Sequence, residues 1–279
     1  MAKWGESVMG VKLYDLNMTE IELRGVKWVE FTPDPPSSSR ITDNVWDGDI
    51  TLGKKRNSRN IQARFLYKSR DFADYKLLRD ELFAIFDPLE AFYIVDTQIP
   101  GKRWRVEVDS YEPSRINGLL AEVTIILYSS KPYAESIGTT MDEETFNASM
   151  RYYGVGALPG ASVDDYIHGT NNFVIHNAGN VLIDPRQSEL LITLTSISAT
   201  SSKITLTNNT TGDVWTYTGT FAVGSTITID RTKSKKNGTN IVGDTNLQLI
   251  SLAKGINNFT VTGLTGDFEI KFEFRYLYL

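Results

Sequence analysis

His168 and His176 are the only histidines in this 279-residue chain, and there is no cysteine. That inventory excludes disulfide staples, thiolate zinc sites, iron–sulfur clusters and cysteine nucleophiles together. The two histidines do not stand in a metal-ligand spacing with carboxylates on one strand face, so a metallohydrolase is not expected. A Ser–His–Asp triad can assemble from distant positions, but no Gly-x-Ser-x-Gly elbow occurs. The plain reading makes His168 a loop residue and His176 a strand residue. Carboxylate pairs stand at Glu143-Glu144 and Asp164-Asp165. Glycosidases hold two carboxyls about 5 to 10 Å apart across a cleft, whereas adjacent residues on a strand point to opposite faces and on a loop are solvated. Asp43, Asp47 and Asp49 lie near a glycine, yet they depart from the alternating oxygen ligands of a calcium loop. Neither Gly-x-x-x-x-Gly-Lys-Ser/Thr nor a strand followed by Gly-x-Gly-x-x-Gly is present, so no phosphate cradle is expected.

Two local clusters remain. The basic segment Lys54, Lys55, Arg56 and Arg59 continues into Arg64, Lys68 and Arg70, and it is the one candidate for nucleic-acid contact. Its aromatics, Phe65 and Tyr67, fit a strand core better than base stacking, so the segment reads as an exposed or partner-facing arm. The second cluster sets Trp215 and Tyr217 on one strand face, with Asn208, Asn209 and Asp213 in the preceding turn. An exposed aromatic beside amides and a carboxylate is what a saccharide contact requires, so Trp215, Tyr217, Asn209 and Asp213 form a candidate sugar site. The competing reading is that Trp215 packs the core. Asn-x-Thr sequons at Asn17, Asn208, Asn209, Asn237 and Asn258 read as turn and strand residues, since no signal sequence precedes them.

Such clusters need a scaffold. With 41% hydrophobic and 23% charged residues the chain is of ordinary globular composition, and its length corresponds to about two domains. Its 29 basic and 34 acidic residues give a net charge of −5, so attraction to nucleic acid or anionic membrane is not a property of the whole protein. No apolar run approaches the ~20 residues needed to span a bilayer, and Met1-Ala-Lys-Trp-Gly-Glu has no signal-peptide core. A soluble protein made in a cytoplasm is expected, with no membrane partner and no cofactor.

The expected elements begin with short strands between Thr19 and Phe31, interrupted at Gly25 and ended by Pro33, Pro35 and Pro36. Ile61, Ala63, Phe65 and Tyr67 alternate with Gln62, Arg64 and Lys68, with Leu66 breaking the pattern, as in a half-buried strand, for which Asp49 to Leu52 is the expected partner. Gly53 to Arg59 is then the exposed loop or arm between them. Phe72, Tyr75, Leu78, Leu82 and Ile85 recur at steps of three and four, which predicts a helix from Asp71, its cap, to Asp87, stopped by Pro88. Trp104, Val106 and Val108 alternate with charged neighbours. Leu119 to Tyr128 is apolar on both parities, as in a central strand covered on both faces. The first half is thus an antiparallel sheet with one helix.

After Pro132 the periodicity fades, and a linker is expected between about Ser136 and Gly169, with a short helix at Asp142 to Tyr152. The division is drawn as residues 1–140 and 141–279, the linker being 141–169. The second half predicts strands at Asn172 to Ile175, Leu190 to Ser196, Ile204 to Thr207, Val214 to Thr218, Thr226 to Asp230, Leu247 to Leu252, Asn258 to Thr262 and Phe268 to Tyr278. Turns at Thr211-Gly-Asp213, Asn237-Gly238 and Thr265-Gly-Asp267 separate them, which is the punctuation of a β-sandwich. The fold class is mainly β.

Taken in order, several stretches resemble one family. They are Arg70 to Pro88 (RDFADYKLLRDELFAIFDP), Ile99-Pro-Gly-Lys-Arg-Trp-Arg-Val106, and Val123 to Thr140 with Lys131-Pro-Tyr-Ala134 and Ser136-Ile-Gly-Thr-Thr140. In the second half they are Asn177-Ala-Gly-Asn180 with Pro185, Thr210-Thr-Gly-Asp213, Asp230, Gly238-Thr-Asn-Ile241, Gly255-Ile-Asn257 and Phe274-Arg-Tyr-Leu277. Over nearly its whole length the chain is similar to the distal tail proteins of siphophages that infect Gram-positive bacteria.

The resemblance implies a virion protein at the distal end of a phage tail. It implies a homohexameric ring formed by the N-terminal domain, with a channel that DNA transits without specific binding. One face would meet the tail-tube protein, and the other the tail-tip hub or tail-associated lysin protein. A galectin-like or carbohydrate-module-like C-terminal sandwich would project outward, where a receptor-binding protein or a host cell-wall saccharide are further partners. No catalytic or metal-binding residue is implied. A ring needs a heterologous interface, and the arm around Lys54, Lys55, Arg56 and Arg59 is the candidate for reaching a neighbour or the channel. The alternative function is a carbohydrate-binding module acting through the C-terminal sandwich.

Overall fold

The computed structural model describes residues 10–44, 46–146, 156 and 160–279, the side chain of Glu144 excepted. Met1 to Glu6, the carboxyl group of Glu144, and the part of the expected helix beyond residue 146 lie outside the described residues. The chain divides into two compact units, residues 1–134 with Leu279 and residues 135–278.

In the first unit the strands are β1 (Val11–Tyr14), β2 (Glu20–Ile21), β3 (Val26–Pro33), β4 (Ser38–Asn44), β5 (Asp49–Arg56) and β6 (Arg59–Lys68). After the helix α1 (Phe72–Ile85) come β7 (Phe92–Asp96), β8 (Lys102–Arg115) and β9 (Leu120–Ser129). Seven of these strands form one sheet in the order β2-β1-β7-β8-β9-β6-β3. All six neighbouring pairs along it are antiparallel. The alternation in β6 places Ile61, Ala63, Phe65 and Tyr67 inside, opposite Leu127, Ile125, Val123 and Ala121 of β9. Leu78, Leu82 and Phe86 close over that face. Phe65 stacks on Phe86 at 5.7 Å between ring centroids, and Tyr67 meets Tyr75 at 5.3 Å. Each buried helix side chain contributes roughly 1.5–3 kcal/mol.

The helix limits agree with the sequence, since the Asp71 carboxylate accepts from the backbone N–H groups of Ala73 and Asp74. Its buried stripe is narrower than the periodicity implied, because Phe72 is exposed while Tyr75 and Ile85 are half-buried. Strand β9 is central, between β8 and β6, but its second face is half-buried rather than covered, with Glu122 and Thr124 among Leu120 and Ile126. The expected pairing of β5 with β6 is overturned. Strand β6 pairs with β3 and β9, while β5 pairs with β4 in a separate two-stranded ribbon. Hydrophobic alternation shows that a strand is half-buried, but the choice of neighbour belongs to partners distant in sequence.

After β10 (Ala134–Ser136), which straddles the boundary, the second unit contains β11 (Ile167–His168), β12 (Asn172–Asn177), β13 (Leu190–Ser196), β14 (Ser201–Asn208) and β15 (Asp213–Phe221). They are followed by β16 (Thr226–Asp230), β17 (Lys233–Lys236), β18 (Thr239–Asn240), β19 (Gly255–Thr262), β20 (Phe268–Phe274) and β21 (Leu277–Tyr278). One antiparallel sheet runs β11-β20-β13-β16-β17-β18 and the other β12-β19-β14-β15, so the expected sandwich is present. Its core crosses between the sheets: Phe272 of β20 meets Phe173 of β12 at 5.8 Å and Phe259 of β19 at 4.9 Å.

The stretch before the sandwich is already tied into it. The Ser136 and Thr140 hydroxyls accept from the backbone N–H groups of Tyr276 and Phe274, and Arg275 donates to the carbonyls of Ser136 and Ile137. Within the expected linker lie two single turns of 3₁₀ helix, Glu143–Phe146 and Val163–Tyr166.

Two strand expectations need correction, and one hairpin lies outside them. Leu247 to Leu252 is not a strand but an irregular segment, held by a bridge between Leu252 and Ile183 and by hydrogen bonds of Ser251 with Asp213 and Asn208. The final strand breaks at Arg275 and Tyr276, where the side chains turn to serve Ser136 and the interior. The hairpin β17–β18 is invisible to hydrophobic pattern because Lys233-Ser-Lys-Lys236 buries only Ser234. Its two-residue turn, Asn237-Gly238, has φ of 47° and 81°, as such hairpin turns require.

Candidate functional site

The described part of the first unit extends one feature away from its core. Strands β4 and β5 pair only with each other, and almost every residue on them is exposed. An isolated two-stranded ribbon is marginally stable in water, so this arm is built to be covered. Side chains alternate across it, and the register shift at Ile41/Thr42 leaves Leu52 as the extra residue of a bulge. Ile41, Ile50 and Leu52 consequently share one side, all exposed. Arg40, Thr42, Thr51 and Lys54 share the other.

The expected basic cluster is divided by this geometry. Lys54, Lys55 and Arg56 are not in a loop but on β5, opposite Arg40, Ser39 and Ser38 respectively. Arg40 and Lys54 are thus like charges placed across from each other, which is unfavourable until an anion or partner approaches. Arg56 lies 5.8 Å above the Tyr133 ring. Arg59 does not belong to the arm at all. It opens β6, donates from Nε to the carbonyl of Asp34, and sits 4.9 Å over the Trp104 ring. Burial lowers its pKa from the ordinary arginine value. It fastens the arm's base instead of presenting a charge.

The tip of the arm places Trp46 fully in solvent between Asp43 and the pair Asp47 and Asp49. Among the described residues no group of three or more His, Cys, Asp or Glu side chains is arranged to hold a metal ion. At the opposite end of β3 and β6 lies an open groove of about 490 Å³. Val26, Leu66 and Leu119 supply its apolar wall, and Lys27, Lys68 and Arg70 its cationic margin. On the uncovered face of the same sheet, Arg64 is held between Glu30 at 3.3 Å and Glu122 at 3.2 Å, which neutralises it locally.

In the second unit the expected saccharide cluster is brought together but turned inward. Trp215 is 2% exposed and Tyr217 3%, so neither ring offers a face for stacking on a sugar. The reason is the register: the odd positions of β15 point between the sheets, and the Trp215 indole N–H donates to Ser234 Oγ at 3.3 Å. Asp213 accepts from Thr211 Oγ1 and from the backbone N–H and hydroxyl of Ser251. Asn209 donates to Thr260 Oγ1. These polar groups are already engaged in holding turns together.

Both histidines line one cleft of about 540 Å³, together with Asp165, Tyr166, Thr170 and Asn172. His168 is on β11 rather than in a loop, stacks on Phe173 at 4.6 Å and bonds the Asp165 carbonyl at 3.0 Å. Burial lowers the pKa of both imidazoles. Of the pair Asp164-Asp165, Asp165 accepts from the backbone N–H of Ser162 and so caps a turn. Sequence periodicity did not single out Trp46 or the groove, because a tryptophan among aspartates has no period and a groove has no motif.

Among the comparisons with known proteins, the family match falls within the first unit and the structural matches span both. Residues 17–129 match the model of the phage tail protein RIFT-related domain. The solved structure of the Dit protein of phage SPP1, described as a paradigm of the hub adsorption apparatus in phages infecting Gram-positive bacteria, is similar in fold. It has a TM-score of 0.63 at 11% identity and covers 96% of this chain and 99% of its own. Chains of the phage p2 baseplate in its activated conformation also match, at TM-scores of 0.43 with Sr and 0.41 with Ca and 10% identity in both. They cover 96% and 95% of this chain and 98% of their own, and at that level of similarity they carry no argument. No curated protein matches the sequence.

Proposed function

We propose, from the premise that this chain is a Dit-type phage tail protein with the RIFT-related domain in residues 17–129, a structural role at the tail tip. Six copies form a ring through their N-terminal units, joining the tail tube to the tail-tip hub, and DNA passes through the central opening. The location is the distal end of the virion tail. No turnover of a substrate is part of this reading.

The observation that carries it is the β4–β5 arm. An exposed ribbon with Ile41, Ile50 and Leu52 on one side has an apolar surface that the described residues of its own unit do not cover. A ring requires two different patches on each subunit to meet, and a projecting arm is one such patch. The uncovered sheet face suits a DNA channel because Arg64 is neutralised by Glu30 and Glu122, leaving little to hold a passing phosphate backbone.

Native mass spectrometry over a concentration series, with negative-stain images, tests the reading. Six chains of 31.3 kDa give about 188 kDa, and a ring with a central hole is the expected result. Leu52→Asp together with Ile50→Asp should return the protein to monomers without lowering its thermal midpoint. A wild-type chain that stays monomeric at every concentration would overturn the ring. The saccharide alternative now lacks an exposed ring at Trp215 or Tyr217, and a glycan array on the full chain checks it.

A further inference from the structure

The ring reading leaves the arm's destination open, and two features of the first unit fit each other. At the arm's tip, Trp46 is fully exposed and flanked by Asp43, Asp47 and Asp49. An exposed indole is costly to leave in water, and tryptophan is among the residues most enriched where binding energy concentrates. At the end of β3 and β6 away from the arm's base, the groove of about 490 Å³ has an apolar wall from Val26, Leu66 and Leu119 and a margin of Lys27, Lys68 and Arg70. The tip is apolar within an anionic collar, and the groove is apolar within a cationic one.

We propose that the arm tip of one copy plugs into this groove on the next copy, with Trp46 as the anchor and Asp43, Asp47 and Asp49 facing Lys27, Lys68 and Arg70. This rests on the ring reading and names the contact that closes it. The occupant is another copy, not the arm of the same chain. The arm leaves after Pro33 and returns at Arg59, whereas the groove lies where Val26 pairs with Tyr67. Those sites are seven strand residues apart, about 23 Å at 3.3 Å per residue. The ribbon pairs with no other strand, and its tryptophan is wholly in solvent, so it is not seated in its own groove. Tip and groove are different patches, which is the heterologous geometry that generates a closed ring. Complementary charge sets the register of such a contact and hastens its formation, while burial of the indole holds it.

The absence of cysteine permits a direct trap. In the full chain, Asp47→Cys with Lys68→Cys should give, on mild oxidation, a ladder of disulfide-linked species up to six chains, and neither single variant should pass a dimer. Trp46→Ala should raise the concentration for half-assembly by roughly 30-fold or more while circular dichroism and the thermal midpoint stay unchanged, since the side chain touches no core. Reversing both collars, Asp47→Lys and Asp49→Lys with Lys68→Glu and Arg70→Glu, should restore assembly that either half alone weakens. If the wild type assembles but the paired cysteines give no ladder and Trp46→Ala assembles normally, the plug is overturned and the ring stands. If the wild type never assembles, both readings fall.

Discussion

The hydroxyls of Tyr166 and Tyr276 meet at 2.6 Å inside the second unit, 110 residues apart in sequence. Tyr166 spends its one proton on the carbonyl of His176 at 2.9 Å, so Tyr276 is the donor between the rings. Removing the ring hydroxyls therefore has unequal effects. Tyr276→Phe deletes one donor and should cost about 1 kcal/mol. Tyr166→Phe strands both the Tyr276 hydroxyl and the His176 carbonyl and should cost roughly 2–3 kcal/mol. Urea unfolding of the full chain measures the order of the two, and the reverse order would refute the assignment.

The same pair sets an alkaline limit. Burial pushes the Tyr166 hydroxyl up to about 12, and burial with the contact to Tyr166 raises Tyr276 further. A tyrosine whose folded pKa exceeds its unfolded value of about 10 keeps its proton while the unfolded chain loses it. Stability from Tyr166 is thus complete below pH 10 and is lost as pH rises from 10 to 12. Tyrosinate absorbance should show that ionisation only alongside unfolding of the second unit.

Trp215→Ala should lower stability by about 3–5 kcal/mol, because it opens a large cavity between the sheets. Ser234→Ala should cost roughly 1–3 kcal/mol by leaving the indole N–H without its acceptor. Differential scanning calorimetry checks both, and a Trp215→Ala protein with an unchanged midpoint would restore the indole to the surface.

Gly263 and Gly212 both have positive φ, 91° and 80°, but differ in surroundings. A Cβ on Gly263 would stand 1.9 Å from the carbonyl oxygen of Lys203, while one on Gly212 would meet nothing within 4 Å. Gly212→Ala should cost only the backbone strain, roughly 1–2 kcal/mol. Gly263→Ala must also move β14 and should cost about 3 kcal/mol or more. Equal losses in chemical denaturation would show that the neighbour yields freely.

Asp71→Ala removes the acceptor for the N–H groups of Ala73 and Asp74 and should cost about 1 kcal/mol. Asp71→Asn should recover most of it, as read by the thermal midpoint of the first unit.

Local pattern was enough for the elements whose neighbours share their period. Strand β6, with Ile61, Ala63, Phe65 and Tyr67 inward, is legible because alternation and burial coincide, and α1 is legible because its cap and its Pro88 stop are local. Strand β17 is not, since its lysines are held in place by pairing to β16 and β18 rather than by their own burial. Trp215 and Trp46 show the same limit. Alternation determined that Trp215 and Tyr217 share a face, but only the second sheet decided that the face is covered. Composition determined that the chain has no thiol chemistry and no overall cationic charge. Tertiary structure alone decided that β5 turns from β6 to β4, which projects Trp46 into solvent and puts Lys54, Lys55 and Arg56 on a paired strand of the expected arm. Periodicity is a property of neighbours along the chain, whereas coverage and strand pairing depend on residues that approach only when the whole sheet has formed.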